Sequence, residues 1–128
     1  MGIQWIAPVL KEIDMWWRSQ TKAGSLKSYR GKMSPMEQWR RQCFVTTFFA
    51  EDEVDLRHTL GVRNMMWGSD FPHVEGTYPN SRRHLAKLFG SVPSDEVEAI
   101  VGMNAAAMMN FDLEKLGQTP AAKIPWPH

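Results

Sequence analysis

Apolar residues recur at helical spacing from the start of the chain, at Ile3, Ile6, Ala7, Leu10, Ile13 and Trp17. Steps of three and four put these positions on one stripe, which predicts a helix from about Gln4 to Gln20. Pro8 falls inside that span and is awkward in a helix interior, so a later start is also compatible with the pattern. Thr21 to Pro35 is polar, carries Gly24, Gly31 and Pro35, and reads as a long loop. The run QCFVTTFF, Gln42 to Phe49, is uncharged, β-branched and aromatic, and too short for a typical helix. It predicts a strand buried on both faces, as in a parallel sheet. AEDEVDLRHTLG then places acids in a first turn, Val54, Leu56 and Leu60 on a modest apolar face, and Gly61 at the end. That is a short helix with a glycine stop. A second apolar run, VRNMMWGSD, completes a strand–helix–strand unit and predicts a parallel pair.

After Pro79 the pattern turns helical. Asn80 or Ser81 can cap RRHLAKLF, which ends at Gly90. VPSDEVEAIVG offers Ser94 as an N-cap, Asp95 and Glu96 in the first turn, and Val97, Ile100 and Val101 on one face. Asn104 is a candidate cap for a last helix in MNAAAMMNFDLEKL, and residues 117–128 carry three prolines without periodicity, an irregular tail. Two strands do not make a stable sheet alone. With six tryptophans and nine methionines, the apolar load is large for so little sheet. Both features imply that part of the fold is supplied from elsewhere.

Composition narrows the class. The 128 residues suffice for one domain, and 43% hydrophobic with 23% charged residues fits a soluble globular chain. Fifteen basic against fourteen acidic side chains leave a formal charge of +1, which argues against a nucleic-acid or anionic-membrane binder. No apolar run approaches the ~20 residues of a membrane helix. The first residues lack a basic stretch and are interrupted by Lys11, Glu12 and Asp14, so a secretory leader is not expected and the location is read as cytoplasmic. The single cysteine, Cys43, reads as a buried structural thiol. Met65, Met66, Met103, Met108 and Met109 read as core fillers, and Arg40-Arg41 and Arg82-Arg83 as solvated pairs.

The candidate chemistry lies in MMWGSDFPH. Alternation along a strand places Met66, Gly68 and Asp70 on one side. Gly68 would leave open space below Asp70, a carboxylate at the C-terminal end of a strand, where α/β barrels carry catalytic groups. Pro72 holds Phe71 extended, and His73 could reach back over the strand ends. Locally, Asp70 reads equally as a turn cap and His73 as an ordinary loop histidine. His58 falls in the short helix between the strands, and His84, beside Arg82 and Arg83, is expected to face solvent. No histidine pair has metal-ligand spacing.

Several stretches, in order, resemble the C-terminal part of the amidohydrolase-related (amidohydrolase 2) family of metal-dependent hydrolases and decarboxylases. They are GIQWIAPVLKEID (Gly2 to Asp14), SPMEQWRRQCFVTTFFAED (Ser34 to Asp52), MMWGSDFPHVEGTYPNS (Met65 to Ser81) and VGMNAAAMMNFD (Val101 to Asp112). Pro35-Met36-Glu37-Gln38-Trp39 departs from the family's usual Pro-Ser-Glu-Tyr. The resemblance implies an α/β fold, the C-terminal part of a (β/α)8 TIM barrel with about strands 7 and 8, over residues 1–116. It implies a role for Asp70 at the metal site, as ligand or proton acceptor, and a substrate contact for His73. The implied cofactor is a divalent metal, zinc first, and the implied substrates are small organic acids. A barrel needs about 250 residues and three protein ligands are usual for catalytic zinc. These 128 residues alone are therefore expected to be inactive and to bind metal weakly. The other reading is a non-catalytic partial barrel that self-associates or docks on a partner through exposed strand edges.

Overall fold

The computed structural model describes residues 2–25 and 33–117. The irregular tail beyond Gly117, His128 and the middle of the expected long loop lie outside the described residues. Helix α1 spans Ile6–Lys22 and α2 spans Pro35–Gln42, leading into strand β1, Val45–Thr47. A 3-10 segment, Glu51–Leu56, passes into α3, Arg57–Leu60, which stops at Gly61 with φ +99°. A 3-10 turn at Val62–Asn64 precedes strand β2, Met65–Trp67. Helix α4 spans Ser81–Phe89. Helix α5, Ser94–Glu98, continues through a π-helical segment, Ala99–Met103, into α6, Asn104–Met108, and α7 is Leu113–Gly117.

The two strands pair in parallel, with Val45 opposite Met65, Thr46 opposite Met66 and Thr47 opposite Trp67. The strand–helix–strand reading therefore holds, and the structure is a mixed α/β arrangement with a small parallel sheet. One sheet face packs on the helices: Met65 and Phe49 are fully buried with Leu60, Leu85, Phe89 and Ile100, and Val45 and Trp67 lean on them. Phe49 and Phe89 meet edge to face, ring centres 5.4 Å apart. The expectation that β1 is buried on both faces is corrected, because Thr46 is exposed on the other face.

Several boundaries differ for local reasons. Pro8 is tolerated because it sits in the first turn of α1, where backbone N–H groups lack helical partners anyway. Pro35 starts a helix rather than ending a loop. Ser34 Oγ accepts from Glu37 N–H (3.3 Å), and Glu37 Oε2 accepts from Ser34 N–H (2.6 Å), a reciprocal cap behind a proline at the first helical position. Ser94 is the first residue of α5 and Pro93 its cap. Asn104 is not a cap: it lies inside a continuous helix, and its Nδ2 donates to Val62 O and Met65 O at 2.8 Å each. The π-helical turn before it resets which residue faces the start of β2. Asn64 does the same for α2, donating to the carbonyls of Trp39, Arg40 and Cys43 at 2.7–3.2 Å.

The core is smaller than the methionine count suggests. Met65 and Met66 are buried, while Met103, Met108 and Met109 are exposed, and Cys43 is half-buried rather than buried. Trp17 is half-buried and Trp16 is 58% exposed. No helix among the described residues is long and apolar enough to cross a membrane.

Candidate functional site

The C-terminal ends of β1 and β2 lie side by side because the pair is parallel. A depression of about 230 Å³ opens there, lined by Thr46, Thr47, Phe48, Gly68 and Asp70. Gly68 permits the close approach of the strands: a Cβ at that position would lie 2.8 Å from Thr46 Cγ2. The space expected beside Gly68 is thus filled by a threonine methyl rather than left open.

Asp70 takes φ +57°, the left-handed region, which aspartate enters more readily than most residues. The turn that follows is closed by backbone bonds. His73 N–H donates to Asp70 O (2.8 Å), Gly76 N–H to His73 O (3.0 Å) and Thr77 N–H to Ser69 O (2.9 Å). Gly76 is required by this closure, since a Cβ there would stand 2.5 Å from Ser69 O. Peptide bonds 71–72 and 78–79 are cis, and Phe71 and Tyr78 stack edge to face at 5.0 Å on the outside of the loop. The Asp70 carboxylate and the His73 imidazole are both exposed, and neither makes a side-chain hydrogen bond among the described residues. The structure places them in one turn without bringing them into contact.

Two residues that the sequence pattern left in solvent hold this end of the sheet. Glu53 is 1% exposed. Its Oε1 accepts from Ile3 N–H at 2.6 Å, and its Oε2 accepts from Thr47 Oγ1 at 3.1 Å and Ala50 N–H at 3.0 Å. His84 is half-buried, and its Nε2 lies 2.9 Å from both Phe48 O and Phe49 O. Two carbonyl oxygens require a donor, so Nε2 carries the proton. The sequence signal for Glu53 was its place three residues after Ala50, the spacing of a helix-capping carboxylate. His84 carried no such signal. Arg57 is buried as well, paired with Glu96 (2.7 Å) and Asp55 (2.8 Å), and ties α3 to α5.

Perturbed titrations fall on structural pairs. Asp14 is held below the usual carboxylate range chiefly by the hydrogen bond from Arg18 (2.6 Å), and Glu37 by the Ser34 backbone N–H. Glu51 is lowered by Lys87, and Asp112 by the backbone of Lys115.

Among the described residues, no three His, Cys, Asp or Glu side chains converge as a metal centre. Asp70 is the one such donor lining the depression, so these residues alone do not fit a catalytic divalent ion.

A family model described as Amidohydrolase matches residues 1–111. No curated protein matches the chain.

Proposed function

The chain belongs to the amidohydrolase family, and from that premise we propose that it forms the sector of an amidohydrolase barrel carrying the last two strands. The family is generally metal-dependent. In this reading Asp70 is the sector's contribution to the metal-dependent centre, and the remaining donors come from outside the described residues. The reaction is hydrolysis or decarboxylation of a small organic acid, with His73 placed to meet substrate. What Asp70 offers with its own atoms is a free carboxylate able to accept a proton or a hydrogen bond at the mouth of the strand pair.

The observation that carries the reading is the position of Asp70. It lies three residues beyond the C-terminal end of β2 and lines a depression at the ends of the two parallel strands. Parallel sheets are ordinarily covered on both faces, and catalytic groups of α/β barrels stand at the C-terminal ends of strands on the inner side. A manganese titration followed by backbone amide NMR tests it. Paramagnetic broadening is expected to centre on Thr46, Phe48, Gly68 and Asp70 at millimolar ion, and to vanish in Asp70→Asn. Broadening centred on the acidic segment Glu51 to Asp55 instead would refute the assignment.

The second reading, a partial barrel that associates without catalysis, is favoured by apolar side chains left exposed on α1 and at its N-cap, where Trp16 and Trp5 are more than half exposed. Asp70→Asn in a catalytically complete assembly separates the two: it abolishes turnover in the first and leaves assembly intact in the second.

A further inference from the structure

The chain leaves β1 through a bend that its side chains do not favour. Phe49 takes φ +58°, in the left-handed region, and it is a fully buried aromatic. Bulky side chains rarely adopt that backbone, and a residue held there marks a place where the surroundings over-determine the chain. The peptide group between Phe48 and Phe49 is gripped at both ends. Its N–H donates to Thr47 Oγ1 (3.3 Å), and its oxygen, Phe48 O, accepts from His84 Nε2 (2.9 Å). The same Nε2–H reaches Phe49 O, also at 2.9 Å. Successive carbonyls of an extended strand point to opposite sides, so one N–H meets two in a row only where that alternation breaks. Here it breaks at Phe49, and the imidazole bridge and the left-handed residue support each other.

His84 belongs to α4, and α4 is tied to the other strand as well. The Asp70 turn runs directly into it, Thr77 N–H donates to Ser69 O (2.9 Å), and Thr77 Oγ1 and Ser81 Oγ lie 2.8 Å apart. On the β1 side the helix adds the Phe89 ring, edge-on to Phe49, and an ion pair from Lys87 to Glu51. One helix thus holds the ends of both strands. The depression opens between them, with Asp70 on its β2 side and Phe48 on its β1 side. Phe48 is half-buried there, while its neighbours Thr47 and Phe49 are buried.

We propose that His84 is a positioning residue of the Asp70 site: by bridging Phe48 O and Phe49 O it keeps Phe49 left-handed and so fixes Phe48 on the wall of the depression that Asp70 lines. The proposal rests on the reading of Asp70 given above and deepens it, since the β1 side of that site is then set from α4. The imidazole works through the peptide it holds. Without the bridge, Phe49 returns to negative φ, the peptide turns over, and Phe48 leaves the wall.

A manganese titration followed by backbone amide NMR reads the wall and the carboxylate separately, because Gly68 and Asp70 lie at the end of one strand and Phe48 at the end of the other. In the parent all three are expected to broaden. Nε2 of His84 should carry its proton in long-range proton–nitrogen spectra, and Phe49 should show the strong intraresidue HN–Hα contact of a left-handed residue. His84→Phe keeps a flat ring without the donor. It is expected to retain the broadening at Gly68 and Asp70, to lose that at Phe48 several-fold, and to weaken the Phe49 contact. His84→Gln places an amide N–H near the position of Nε2 and should restore both. His84→Asn carries the same amide one carbon short and should not, so the glutamine–asparagine pair makes the same comparison if His84→Phe does not fold. A purely structural role would lower the unfolding midpoint and leave the ratio of Phe48 to Asp70 broadening unchanged in the folded protein. That result, failure of glutamine to restore the ratio, or a bare Nε2 in the parent overturns the proposal while the Asp70 reading stands. A parent without broadening at Gly68 and Asp70 refutes the Asp70 reading, and the positioning role falls with it.

Discussion

Replacing Glu53 by glutamine changes one atom in a fully buried group, and its cost can be worked from three hydrogen bonds. Every partner of the Glu53 carboxylate is a donor: Ile3 N–H on Oε1, Thr47 Oγ1 and Ala50 N–H on Oε2. Glutamine keeps the shape but offers one acceptor. The less costly orientation leaves its oxygen facing Thr47 and Ala50 and turns its NH2 toward Ile3 N–H, so two donors oppose each other at a contact that was 2.6 Å. An unpaired buried N–H costs roughly 1–3 kcal/mol, and two bonds weakened from charge-assisted to neutral lose about 1 kcal/mol together or somewhat more. The expected loss is about 2–4 kcal/mol, a large share of the 5–15 kcal/mol typical of a domain. Urea unfolding followed by far-UV circular dichroism reads it as a lower midpoint at unchanged slope. Thr47→Val should cost about 1–2 kcal/mol, because it also leaves Phe49 N–H without its acceptor. The two substitutions should be non-additive, since they share one network. A glutamine variant within about 0.5 kcal/mol of the parent would refute the view that this carboxylate anchors the end of β1.

Two other expectations follow from polar side chains in defined roles. Asn104→Ala strips donors from Val62 O and Met65 O and should lower stability by about 1–3 kcal/mol, read by calorimetry; no shift would mean that water replaces the amide. Asp14 is held down in the folded state by Arg18, so its contribution is present above the ordinary carboxylate value near 4 and is lost as pH falls through the lowered one. The stability gap between the parent and Asp14→Asn should therefore be constant above about pH 5 and shrink below about pH 4, measured as urea midpoints at several pH values.

The elements were legible where one signal dominated. The α1 stripe, the apolar strand runs and Gly61 gave helix, strands and stop, whereas GSD left Asp70 open as a turn cap or a site residue. What stayed hidden depends on which member of a like group turns inward. Glu51, Asp52 and Glu53 are adjacent acids, and only the third is buried, because only it reaches the N–H groups of Ile3 and Ala50. His84 follows two exposed arginines and looks solvated, yet α4 lies so that its imidazole spans two carbonyls at the end of β1. The cap at Ser34 was written in the sequence as Ser-Pro-x-Glu and was outweighed by the polar stretch before it.

In the proposed reading, Asp70 is available for chemistry because other polar contacts hold its surroundings. Around it, position is set by groups other than its own side chain. Backbone bonds close the turn, Gly76 lets Ser69 O come close, and Gly68 lets the strand pack against Thr46. On the neighbouring strand, Glu53 and His84 fix the backbone that carries Phe48. A carboxylate that held the turn together through its own oxygens would be poorly placed to accept a proton or meet a ligand. Here the scaffold is complete without it, so Asp70→Asn, whose side chain tolerates the same left-handed backbone, should leave the fold unchanged and alter only what the carboxylate meets. A loss of more than about 1 kcal/mol of stability in that variant would mean that Asp70 belongs to the scaffold and not to the site.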